Sequence, residues 1–79
     1  MPTTEQLEIT TAGWGDKYTV KLEGRIIGYV QRWPSISGRS VRFQPLSRNL
    51  LPIGGDGRRY RTRRDAAADV LAAHRRAQR

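Results

Sequence analysis

The sequence predicts an α+β fold, a small antiparallel sheet of three to four strands with one C-terminal helix packed on one face. Three observations carry that expectation. Residues 17–23 alternate strictly, with Tyr18, Val20 and Leu22 on one side and Lys17, Thr19 and Lys21 on the other, the period of a half-buried strand. Glycine and proline then cut residues 24–57 into strand-length pieces. Beyond residue 61 the period changes, and Ala66, Ala67, Val70, Leu71, His74 and Ala77 recur at helical spacing. A chain of 79 residues has room for one domain, with a sheet-plus-helix core over 16–78.

Residues 1–13 allow two readings, a short edge strand built on Leu7 and Ile9 or a flexible leader. Ala12-Gly13-Trp14-Gly15-Asp16 reads as a turn into the strand at 17–23. Glu23-Gly24 signals a hairpin, because glycine supplies a positive φ. The strand that follows, 25–33, is apolar on both faces. A two-residue turn and a bulged three-residue turn would send opposite faces inward, so its register stays open. Placing Ile26 and Val30 inside leaves the polar tips of Tyr29 and Gln31 in water, and that arrangement is expected. Pro34 ends this strand, and Ser35-Ile36-Ser37-Gly38 makes a loop. Residues 40–44 form a third strand, with Val41 and Phe43 inward, that Pro45 closes.

Residues 46–53 are apolar but aperiodic, as expected of a loop folded back on the core through Leu46, Leu50, Leu51 and Ile53. Gly54-Gly55-Asp56-Gly57 is a turn and lacks the Gly-Lys-Ser or Gly-Lys-Thr of a phosphate loop. A short fourth strand is expected over 58–61, with Tyr60 inward and Arg59 and Arg61 outward. Thr62 then caps the helix, and Asp65 three residues on completes a capping box and complements the positive helix end.

Charge is the main functional signal. Lys and Arg number 15 against seven acids, a formal charge of +8. Residues 25–79 alone hold thirteen arginines and three acids. Such an excess attracts polyanions at long range. Cysteine is absent and histidine occurs once, so thiolate nucleophiles and His/Cys metal sites are excluded from the sequence. The acids show no catalytic pairing, the serines no nucleophile signature, and His74 is expected to pack at the helix boundary. The expectation is a protein without catalysis or cofactor. No run approaches the roughly 20 apolar residues of a membrane helix. The N-terminal residues have no basic flank and no apolar stretch. A soluble cytoplasmic protein is expected.

If Tyr18, Val20, Leu22, Val41, Phe43 and Tyr60 face the helix, the opposite face presents Lys21, Arg42, Gln44, Arg59 and Arg61. These are the candidate groove readers of a β-sheet that binds nucleic acid. Arg63 and Arg64 stand in the first helical turn, where a helix favours acids. They are candidates for a phosphate clamp. DNA is the expected partner, with RNA as the alternative nucleic acid.

Gly24-Arg25-Ile26-Ile27-Gly28-Tyr29-Val30 in the hairpin and Tyr60-Arg61-Thr62-Arg63-Arg64-Asp65-Ala66-Ala67 opening the helix carry a family resemblance. In this order of strands and helix, residues 16–78 resemble the AP2-type and integrase arm-binding DNA domains. That resemblance implies a three-stranded sheet entering the major groove, braced by the helix. The chain length and arginine–alanine bias are also similar to those of small proteins of actinobacteria and their phages, many of which act on host proteins. This second likeness implies a rival function, an interaction module for an acidic host protein. Trp33, Ile36 and either Ile26 or Ile27 would anchor it and Arg32 and Arg39 rim it, with homodimerisation through an open sheet edge as a further mode.

Overall fold

The computed structural model describes residues 7–34, 40–55 and 58–78. Four strands, β1 (Leu7–Thr11), β2 (Lys17–Leu22), β3 (Arg25–Pro34) and β4 (Val41–Leu46), precede one helix, α1 (Arg63–Ala77). The strands form an antiparallel sheet in chain order, and α1 lies on one face, chiefly over β3 and β4. The fold is the expected α+β layer pair, but its fourth strand is β1. Leu7 and Ile9 pair with Leu22 and Val20 and pack against the core, which secures the edge strand. Residues 58–61 make only an isolated bridge, in which Tyr60 and Phe43 exchange two backbone hydrogen bonds of 2.7 Å.

The hairpin between β2 and β3 resolves the open register. Glu23 and Gly24 have φ of 53° and 82° between the paired Leu22 and Arg25, so both central residues meet the requirement of a type I′ turn. Further along, Val20 pairs with Gly28 while Lys21 pairs with Ile26, which leaves Ile27 as an extra residue, a β-bulge. The bulge shifts the alternation by one. Ile27 and Val30 are therefore buried together, whereas Ile26 faces solvent on the other side, contrary to the expectation that Ile26 points inward. A tight turn and a bulge occur in sequence here, and neither alone would give this pattern.

Strand β4 continues through Pro45 instead of stopping there. Phe43 directs its N–H and C=O outward to Tyr60, so by alternation the nitrogen of Pro45 also faces away from β3. The missing donor thus falls where no ladder bond is due. Pro45 O accepts from Ile53 N at 3.0 Å and Leu46 bridges Pro52, which folds the following loop over the outer edge of β4. Ser47 holds that loop, its Oγ accepting from Asn49 N and Leu51 N at 3.2 Å. Ile53 packs against the core as expected, whereas Leu46, paired with Tyr29, is buried on the helix-free side of the sheet, and Leu50 and Leu51 are exposed, with Leu50 at φ 66°. Among the described residues, no strand pairs the outer edge of β1.

The helix begins as its residues dictate. Thr62 is extended (φ −127°, ψ 155°), and its Oγ1 accepts from Asp65 N at 3.1 Å. Ala66, Ala67 and Val70 are buried against Val20, Ile27 and Val30. Gly28 permits this close approach. A Cβ there would stand 2.5 Å from Val70 Cγ1 and 2.6 Å from Leu46 O.

Candidate nucleic-acid interface

The sheet face turned away from α1 is where the sequence places its groove readers. Strand pairing sets Trp33 of β3 directly beside Arg42 of β4. The Phe43–Tyr60 bridge sets Arg61 across from Arg42 and Arg59 across from Gln44. The Trp33 indole N–H donates to Gln44 Oε1 at 2.9 Å, which fixes the ring, and the Arg59 guanidinium lies 4.8 Å from the ring centroid. Distances of this order give a cation–π contact. Arg42 Nη1 donates to Val41 O at 3.2 Å. Arg42 and Arg59 thus flank a tryptophan that remains 43 % exposed, with Arg61 on the far side of Arg42.

The segment that carries Arg59 and Arg61 is tied to the helix by side chains. Tyr60 donates a short hydrogen bond to Asp69, and Arg58 forms an ion pair with the same carboxylate oxygen at 3.1 Å. The hydrogen bond to Asp69, followed by burial, holds the Tyr60 phenol above its ordinary pKa. The hydrogen bond to Asp69 also raises Arg58, followed by the nearby Tyr60. Asp69 accordingly neutralises Arg58, while β3, β4 and residues 58–61 contain no acid of their own to balance Arg42, Arg59 and Arg61.

The other expected site residues separate from this cluster. Gln44 is only 5 % exposed and its carbonyl oxygen is taken by Trp33, so it supports the ring rather than facing a ligand. Lys21 lies on the same face, but across β3 and several residues along the strands, between Glu8 of β1 and Ile26 of β3. Arg63 and Arg64 belong to the helix layer. Arg63 stacks over Tyr18 at 4.8 Å, and both arginines line an open groove of about 360 Å³ with Leu7, Ile9 and Thr62. They cannot clamp a ligand seated on the opposite face. Among the residues of the rival interface, Trp33 joins the arginine cluster and Arg32 is half-buried on the helix-facing side of β3. Ile36 and Arg39 lie outside the described residues.

Sequence reasoning missed the organising role of Trp33. The available signal was its position opposite Arg42 once Pro34 and Val41 are paired, a register that no periodicity in the sequence reports. It also missed Trp14, which meets Tyr29 edge-on at 6.4 Å and carries Lys17 Nζ 4.6 Å from its ring. These aromatics cover part of the face that alternation alone would leave polar. Among the described residues there is no group of three His, Cys, Asp or Glu side chains able to hold a metal, and no helix is long and apolar enough to cross a membrane. No family model, curated protein or solved structure matches the chain.

Proposed function

We propose that this chain binds duplex DNA through the helix-free face of its sheet, with Arg42, Arg59 and Arg61 as phosphate and base-edge contacts around Trp33, and that it performs no catalytic step. One observation carries this reading: Arg42 and Arg59 flank one exposed indole ring, with Arg61 beyond Arg42, and among the described residues β3, β4 and 58–61 supply no acid to balance them. A general surplus of arginine would scatter these side chains among acids. Guanidinium groups suit phosphate oxygens and guanine edges because their donors are planar and paired. The helix behind the sheet supplies stiffness through Ala66, Ala67 and Val70, so the arginines project from a rigid layer.

The test is a mobility-shift titration of random-sequence duplex DNA at two salt concentrations. An Arg42→Ala/Arg59→Ala/Arg61→Ala variant and an Arg63→Ala/Arg64→Ala variant run alongside. Each phosphate neutralised contributes about −0.9 to the slope of log K against log salt, so three contacts give a slope of about −2.7. The triple variant should lose most of that slope, and the helix variant should keep it. No shift at low salt would refute the nucleic-acid assignment. A loss confined to the helix variant would move the site to the other layer, and RNA outcompeting the duplex would change the ligand.

A further inference from the structure

Helix α1 outruns the sheet that supports it. Its 15 residues span about 22 Å at 1.5 Å per residue, and the buried contacts of Ala66, Ala67 and Val70 use only its first half. The second half presents Ala73, His74 and Ala77 to a hollow of about 370 Å³, whose other walls are Ile27, Ile53 and Val70 with the 47–49 loop. Two further grooves, of about 610 and 480 Å³, open from the same place and share Ile27 and His74. The hollow exists because alanine stands at 73 and 77, where a larger side chain would have closed it. Cavities of this size accommodate a bulky apolar side chain or a small ligand.

Its rim is basic. Arg25 and Arg48 border the grooves, and neither forms an ion pair among the described residues. Glu23 is the one acid lining these grooves, beside Arg25. Arg75 and Arg76 occupy the last turn of the helix. We propose that this cleft binds an acidic peptide segment of a partner protein, seating one apolar side chain on Ile27, Ile53 and Val70 while flanking carboxylates meet Arg25 and Arg48. Charge complementarity selects this occupant. A second copy of the chain carries +8 itself and would bring like charges together. Ser47, Asn49 and His74 also line the hollow, but its floor of Ile27, Ile53 and Val70 is aliphatic and suits an alkyl side chain better than the polar edges of a nucleobase. The cleft lies on the helix side of the sheet, so this function is independent of DNA binding on the opposite face.

Fluorescence anisotropy can test it with a labelled peptide of aspartates and glutamates around a single leucine, and a matched peptide with serine in place of the leucine. The leucine peptide should bind on the order of tenfold more tightly. Ala77→Leu should fill the hollow and abolish that preference. Position 77 is exposed and leucine is a strong helix former, so far-UV circular dichroism should show an intact fold. Arg25→Ala/Arg48→Ala should weaken both peptides, and neither variant should change the DNA mobility shift. Equal binding of the two peptides, or a leucine preference that survives in folded Ala77→Leu protein, would overturn the proposal. Loss of DNA binding in Ala77→Leu would overturn it too, by assigning the cleft to nucleic acid.

Discussion

Replacing Gly28 by alanine adds a single methyl group at the tightest point between helix and sheet. The backbone there is not left-handed, so alanine can adopt it, and the cost is steric. The new carbon would lie 2.5 Å from Val70 Cγ1 and 2.6 Å from Leu46 O, whereas non-bonded carbons settle at about 3.5–4.0 Å. Neither neighbour can yield easily. Val70 is fully buried and stiff at χ1, and the oxygen belongs to the backbone of β4. Overpacking costs about 1–3 kcal/mol, and two unavoidable overlaps place Gly28→Ala near the top of that range. Restricting the unfolded chain returns about 0.4–1 kcal/mol, which leaves a net loss of about 2 kcal/mol. That is a large share of the roughly 4–12 kcal/mol available to a domain of this length, and it corresponds to a fall in Tm of roughly 8–16 °C. Urea unfolding followed by far-UV circular dichroism measures the loss as a lower midpoint at constant m. Val70→Ala in the same chain removes one of the two overlaps. The double variant should therefore be less destabilised than the sum of the single variants by about 1 kcal/mol. A midpoint within error of the parent, or strict additivity in the double variant, would refute this account of the interface.

Two further outcomes follow from local geometry. Glu23 occupies a left-handed φ of 53° at the first central position of a type I′ turn, so Glu23→Asn should stabilise the protein by about 1 kcal/mol, and an unchanged urea midpoint would count against that turn assignment. The Tyr60 phenol is held protonated by its hydrogen bond to Asp69, so its folded pKa exceeds the unfolded value near 10. The stabilisation is complete below that unfolded value and is lost as pH rises through the folded one. Stability should fall with pH in this alkaline window, and Tyr60→Phe should flatten the fall. A Tyr60→Phe variant whose stability falls with pH as steeply as the parent's would contradict the Asp69 contact.

Local rules made the helix legible. Thr62 and Asp65 are three residues apart, and the cap they form depends on little else. The Glu23-Gly24 turn was equally readable. The register of β3 was not, because a bulge reverses the inward parity of Ile26 and Ile27 and leaves no mark in a run that is apolar on both faces. Gln44 looked like a groove reader because it alternates outward. Its burial depends on Trp33, eleven residues away, and no period reports such a contact. Pro45 signalled a strand end for a sound reason, but its nitrogen happens to face away from the neighbouring strand. In the candidate site, Arg59 lies over Trp33 on the outer face as expected, even though its segment forms a bridge and no full strand. Arg63 and Arg64 follow Arg59 closely in sequence, and the helix cap at Thr62 carries them to the other layer.

The two margins of the sheet also differ in what they permit. The 52–53 segment and Tyr60 occupy the outer margin of β4, while β1 leaves its backbone donors and acceptors free of strand partners among the described residues. Two copies joined antiparallel along β1 would each use the same margin, related by a twofold axis. Such a union consumes the free margin of both and offers no place for a third copy. Strand-to-strand association of this fold would therefore terminate at a pair, without propagating into a fibre.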